Sequence, residues 1–293
     1  MFKKITRQER GYLYFILPAF ILFTVFITYP VVNSFNLALT NWDGISPDLE
    51  YVGLYNFKVM ITNERAINAL TNTLIIGFGF TILVNIVSLA LALFVDNVAK
   101  GKNFFRSAFY LPVLISGVIA GLTWGIMFNY SFGIINYILN MFGLESVDYL
   151  GKMPNALIAI ILVLVWRFAG YYMIIYLAGL QGIPKELVES SKIDGASSLQ
   201  RFRYITFPLL AGSFTINMTL ALINGMKAFD VIVAMTDGGP GFSTENISYL
   251  VYKVAFAELQ QGYGTALALA LFVLLLIISI FQVTVLKKRE VQL

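Results

Sequence analysis

Long apolar runs alternate with shorter polar stretches along this chain, at residues 11–39, 74–95, 108–128, 156–180, 209–235 and 264–286. A helix needs about 20 apolar residues to cross a bilayer, and each run meets that length. A backbone in lipid must satisfy its own hydrogen bonds, so runs of this kind form helices rather than open strands. The pattern predicts an all-α membrane protein with six transmembrane helices. Pro30 is placed to end or kink the first, and Pro112 sits near the start of the third. One polar interruption stands out, residues 181–208, reading QGIPKELVESSKIDGASSLQRFRYITFP. Two short helices fit it. Pro184 suits the first turn of one, and Asp194-Gly195 offers a stop for it and a cap for the next. Leu187, Val188, Leu199, Phe202 and Ile205 recur at helical spacing, so each short helix has an apolar face. A charged helix pair with apolar faces, carried on a membrane-protein loop, is a docking surface.

At 58% hydrophobic and 12% charged residues, the chain is no ordinary soluble globule. Its charges report orientation. With the N-terminus inside, the cytoplasmic segments hold Lys3, Lys4, Arg7, Arg10, Lys100, Lys102 and Arg106, then Lys185, Lys192, Arg201, Arg203, Lys287, Lys288 and Arg289. The outer segments hold only Lys58, Arg65, Lys152 and Lys253. Basic residues gather on the cytoplasmic side of membrane proteins, so both termini and the 181–208 island are expected there. The net charge of +4 therefore needs no nucleic-acid partner; basic residues near the membrane face anionic lipid headgroups. The opening MFKKITRQER before an apolar run resembles a signal peptide, but the run is long and no A-x-A-like site follows. An uncleaved anchor is expected.

The chain has no histidine and no cysteine, which removes the commonest general base, the commonest metal ligand and all thiol chemistry. The Gly-Lys pairs at Gly101-Lys102 and Gly151-Lys152 lack the earlier glycine and the following Ser/Thr of a phosphate-binding loop. The sequence thus reads as neither a nucleotide hydrolase nor another enzyme. Gly-Gly-Pro-Gly at 238–241 reads as a tight outer turn leaving the fifth helix. Within the spans, Lys227 and Asp230 stand three residues apart and are expected to pair on one helical face. Arg167 lies near the middle of the fourth helix, either balanced by a partner helix or lining a water-filled path. Asn85 and Asn217 read as interhelical glue. Asn224 differs, because Ala221, Asn224, Gly225 and Ala228 form one face of small side chains and an amide. Leu164, Arg167, Phe168 and Tyr171 have the same spacing on the fourth helix, at a similar depth. Vacated volume, hydrogen-bonding groups and aromatic rings at one level suit a sugar-like ligand.

The island resembles the EAA loop of binding-protein-dependent ABC importer permeases, whose pattern is E-A-A, three residues, G, nine residues, I-x-L-P. Here it stands as Glu189-Ser190-Ser191, Gly195 and Ile205-Thr206-Phe207-Pro208. The spacing matches, while serines replace the two alanines and phenylalanine replaces the leucine. Tyr29-Pro30, Asn41-Trp42-Asp43-Gly44, Asn72-Thr73, Leu111-Pro112 and Leu180-Gln181-Gly182-Ile183-Pro184 extend the likeness along nearly the whole chain. It is most similar to the branch containing the maltose and glycerol-phosphate permeases.

The resemblance implies a type I ABC importer permease fold in a plasma (inner) membrane, with residues 1–293 forming a single permease domain. It also implies a second homologous permease, an ATPase dimer carrying ATP and Mg, and an extracellular solute-binding protein, with no cofactor in this chain itself. Coupling to the ATPase would fall to Leu187, Glu189, Asp194, Gly195, Ala196, Leu199 and Phe202. Sugar contacts would fall to Leu164, Arg167, Phe168, Tyr171, Ala221, Asn224, Gly225 and Ala228. Of these eight, only Tyr171 keeps the residue of the maltose-type permease, so the particular sugar stays open. Glycerol phosphate is the alternative substrate, since Arg167 can meet a phosphate. An ion-coupled secondary transporter fits less well, because no midmembrane carboxylates or repeated halves are visible.

Overall fold

The computed structural model describes residues 7–288; the basic residues Lys3, Lys4 and Arg289 lie outside them. The described residues run through fifteen α-helices. They are α1 (Arg7–Phe23), α2 (Tyr29–Leu37), α3 (Tyr55–Thr62), α4 (Glu64–Asn97), α5 (Lys102–Tyr110), α6 (Gly117–Met127), α7 (Ile134–Met141) and α8 (Asn155–Gln181). There follow α9 (Lys185–Ile193), α10 (Ser198–Arg201), α11 (Phe207–Leu209), α12 (Ala211–Met226), α13 (Asp230–Met235), α14 (Ile247–Tyr252) and α15 (Gln261–Lys287). One isolated antiparallel bridge, Thr40 to Tyr51, is the only extended pairing among them. Four helical segments are each long and apolar enough to cross a membrane; counting each of two bent pairs as one span brings the number to six.

The chain divides into two compact units. One combines the described residues up to Thr62 with Val251–Ala270. Its long apolar segment Phe15–Leu37 buries none of its side chains within the chain, as expected where lipid or another subunit supplies the apolar surroundings. Pro30 does not end the helix. A wider π turn at Thr24–Thr28 precedes it, which relieves the clash a proline ring makes with the carbonyl one turn back. A small core of Ala38, Ala266 and Leu269 closes against Phe57. Buried Asn56 donates to the carbonyls of Ala38 and Thr40 at 2.8 Å each, satisfying backbone groups that the end of α2 leaves open.

The other unit, Asn63–Leu250 with the residues from Leu271 on, is built around α4, α8 and α12. Asn63 starts α4 by accepting from the amides of Arg65 and Ala66. Ile76, Phe80 and Val84 of α4 meet Ile160, Val163 and Leu164 of α8 and Ala221 of α12 in one core. Where apolar side chains gain nothing over lipid, close backbone approach and polar links hold helices together. Gly225 supplies the approach: a Cβ there would sit 3.1 Å from Gly77 Cα and 2.9 Å from the Phe80 ring. The links come from asparagine. Asn85 accepts from the Tyr176 hydroxyl at 2.6 Å, and Asn217 donates to the Tyr172 carbonyl at 3.0 Å.

Two expected spans are not straight. The run 108–128 bends by 93° between the segments Lys102–Leu114 and Gly117–Met127, so Pro112 closes a first half instead of opening a helix. The run 209–235 likewise stops at Met226 and restarts at Asp230, after a 69° bend before α12. Broken backbone at membrane depth persists only where the freed groups find partners. Here they do: Asn246 donates its amide to the Ala228 carbonyl, and Arg167 donates to the Ile115 carbonyl at 3.2 Å.

Candidate functional site

The break after Met226 changes the charge pairing expected from sequence. Lys227 caps the end of α12 and is exposed, while Asp230 opens α13, so the two do not share one helical face. Asp230 instead accepts from Arg167 of α8, Nη1 to Oδ2 at 3.1 Å. Arg167 is thereby held on three sides: by Asp230, by the Ile115 carbonyl at the bend of the other broken span, and by the Phe168 ring 4.9 Å from its guanidinium carbon. Gly117 makes the pair possible. A Cβ at that position would fall 1.5 Å from Asp230 Oδ2.

The eight expected substrate contacts divide into two sets. Leu164, Ala221 and Ala228 are buried in the core of this unit, and Gly225 is buried against Gly77 and Phe80. Arg167, Phe168 and Tyr171 are half-buried and Asn224 is exposed. Tyr172, fully buried and not anticipated from sequence, joins this second set. Its ring lies 5.1 Å from that of Tyr171 and 6.4 Å from that of Phe168, and its hydroxyl accepts from Asn224 at 2.9 Å. The Asn224 amide is therefore oriented from behind. Arg167 and Tyr171 fall near the midpoint of the 27-residue α8. Tyr172 could have been suspected from its i, i+1 place beside Tyr171, but nothing in the spacing paired it with Asn224.

The 181–208 island forms the short helices α9 and α10, with a π turn and α11 after them. Pro184 caps α9 from just outside, and the cap of α10 is Ser197 rather than Asp194. Ser197 and Gln200 make a reciprocal capping box, with bonds of 3.3 and 2.7 Å. Asp194 and Gly195 end α9. Gly195 has φ of +77°, its amide bonds Lys192 and the Ala196 amide bonds Ser191, the paired closure that favours glycine. Arg201 braces the turn by donating to the Ala196 carbonyl at 2.6 Å. Leu199 is 74% exposed and Leu187 38%, whereas Phe202 is half-buried, its ring 5.9 Å from that of Phe207. Glu189 is exposed and lines a groove of about 450 Å³ with Asp96 and Lys102. Sequence reading missed Ile193, which at 87% exposure is the most open large apolar residue of the loop.

The Gly-Gly-Pro-Gly turn does more than leave a helix. Asn68 donates to the Phe242 carbonyl, and Asn72 to the carbonyls of Ser243 and Glu245, tying the loop to the start of α4. Arg65 grips Glu245 through two bonds of 2.7 and 2.9 Å, and Glu245 is only 2% exposed. Among the described residues, no group of three metal-ligating side chains is assembled.

Residues 68–291 match the family model described as "Binding-protein-dependent transport system inner membrane component". The chain belongs to this family. It is therefore a multi-pass inner-membrane transport component and not a catalytic enzyme. Among curated members, it is 35% identical to the multiple sugar-binding transport system permease protein MsmF of Streptococcus mutans, over 99% of each chain. It is 33% identical to the sn-glycerol-3-phosphate transport system permease protein UgpA of Agrobacterium fabrum, over 93% of each. A chain from the crystal structure of a bacterial ABC transporter involved in the import of the acidic polysaccharide alginate superposes with a TM-score of 0.83, at 25% identity and 96% coverage of both chains. The ABC importer permease resemblance read from the 181–208 island thus holds across the chain.

Proposed function

We propose that this chain is the permease subunit of an ATP-driven importer for a sugar or oligosaccharide, forming one permease domain with six spans and both termini cytoplasmic. A second, homologous permease completes the pathway. A separate ATPase dimer holds ATP and Mg and grips the loop 181–208, and an extracellular binding protein delivers the substrate. The substrate meets Arg167, Phe168, Tyr171 and Asn224, while Leu164, Ala221, Gly225 and Ala228 form the packed wall behind them. The observation that carries this reading is Asn224, an exposed amide within the apolar helix α12 whose orientation is set by a buried tyrosine hydroxyl. An exposed amide costs free energy in lipid, so it belongs against water, substrate or another subunit. Glycerol phosphate, the substrate named for UgpA, is the second reading, because Arg167 stands on the same face.

Uptake of labelled sugars by vesicles containing the whole transporter tests the proposal. Asn224→Leu is expected to reduce uptake at least tenfold while the complex still co-purifies, since it fills space and removes the amide together. Undiminished uptake in this variant overturns the placement of the pathway.

A further inference from the structure

Arg167 invites the idea of an anion receptor, but its surroundings argue otherwise. One N–H goes to Asp230 Oδ2 and another to the Ile115 carbonyl, and the Phe168 ring lies against the guanidinium. The Arg167 side chain is 14% exposed, whereas that of Asp230 is 37% exposed. A ligand arriving at this face therefore meets the carboxylate more than the guanidinium. The Asp230 oxygens offer about four lone-pair sites, and the bonds described use two of them: Oδ2 takes Arg167, and Oδ1 takes the neighbouring Val231 amide at 3.1 Å. Acceptor capacity is left for hydroxyl donors. Of the other groups, the Asn224 amide and the Phe168 and Tyr171 rings carry no charge, while Lys227, exposed at the end of α12, does not share a helical face with Asp230.

We propose that Asp230 makes this permease selective for uncharged saccharides, accepting sugar hydroxyls while cancelling the charge of Arg167 and disfavouring substrates that carry carboxylate or phosphate. This rests on the reading that the Arg167–Asn224 face lines the pathway. The physical reason is the sign of what is presented. A paired guanidinium with a shielded face attracts anions weakly, and an exposed carboxylate beside it repels them at short range in a medium less polar than water. Hydroxyls, as donors, find in the same carboxylate a strong charge-assisted partner. Asp230 is then a specificity-determining residue, positioned by Arg167 and by the space at Gly117.

The test is equilibrium binding of radiolabelled maltotriose, raffinose and trigalacturonate to the purified transporter in nanodiscs, without its binding protein, so that the delivery protein's own selectivity does not intervene. Wild type is expected to bind at least one neutral probe ten times more tightly than trigalacturonate. Asp230→Asn, which keeps the shape of the side chain, is expected to lower neutral-probe affinity about tenfold and to bring trigalacturonate binding up, in a salt-sensitive manner. Equal or tighter wild-type binding of trigalacturonate overturns the proposal, and that comparison needs no variant to assemble. An unchanged neutral-to-anionic ratio in an assembled Asp230→Asn complex overturns it as well. If wild type binds none of the three probes, the saccharide pathway itself falls, and this proposal with it.

Discussion

Two charged side chains of this chain, Arg65 and Arg167, each find a carboxylate far away in sequence, and they differ in what the pairing achieves. Arg65 holds Glu245 in a two-bond clamp across 180 residues, and the carboxylate is almost fully buried. Removing one member of a buried pair leaves the other charge poorly compensated, at a cost of about 3–5 kcal/mol. Arg65 keeps some contact with water, so the lower part of that range applies. Arg65→Met is accordingly expected to lower the thermal midpoint of the solubilised protein by several degrees, and Arg65→Lys to recover only part of the loss. Scanning fluorimetry reads this directly; an unchanged midpoint in Arg65→Met would remove the clamp from any account of the loop's stability. At Arg167 the decisive neighbour is a glycine. Because a Cβ at Gly117 would overlap Asp230 Oδ2, Gly117→Ala should expel Asp230 from its partner. Uptake should fall as far in Gly117→Ala as in Asp230→Asn, and the double variant should be no worse than either alone. Additive losses would show that Gly117 and Asp230 act separately.

Among the elements, the turn between α9 and α10 shows how backbone conformation limits the sequence. Gly195 sits at φ of +77°, yet nothing lies within 4 Å of where its side chain would be. Inside this chain, then, a substitution there is opposed by backbone strain and not by a clash. The left-handed conformation costs an ordinary residue about 1–2 kcal/mol and asparagine less. On the proposed coupling role, Gly195→Val should sharply reduce substrate-stimulated ATPase activity in the reconstituted transporter, while Gly195→Asn retains most of it. Equal loss in both would mean that the open space is filled by the ATPase itself, so that bulk and not strain matters. Both helices of this loop were legible in the sequence because glycine, proline and a charged, amphipathic pattern are local signals. The capping residue was read wrongly for a local reason too. Asp194 and Ser197 both suit a cap, and only the closure of Gly195 and Ala196 onto Lys192 and Ser191 assigns Asp194 to the end of α9.

At the scale of the whole molecule, the proposed topology is open to a direct test. Single cysteines at Asn63 and Asp148 should react with a membrane-impermeant maleimide added outside intact cells, and those at Asn103 and Ser198 only after the membrane is opened. The cysteine-free background makes the labelling unambiguous. External labelling at Ser198 would rule out a cytoplasmic ATPase contact through this loop.

Length and apolar character are additive properties of neighbouring residues, which is why the runs that became α4, α8 and α15 could be located from the chain alone. The same holds for the pattern of the 181–208 loop, and the family it pointed to is borne out by the match over residues 68–291. Breaks inside a span are different. The bends at Ile115–Ser116 and at 227–229 are tolerated because Arg167 and Asn246, from distant parts of the chain, satisfy the carbonyls those bends release. Apolar runs of similar length carry no mark of that help. The partner of Asp230 was hidden for the same reason: spacing offered Lys227, three residues away, and only the interruption of the helix turned the carboxylate toward Arg167. Local pattern determined which segments are helical, and the tertiary structure decided where they break and which charges meet, because both depend on groups brought together from positions far apart in the chain.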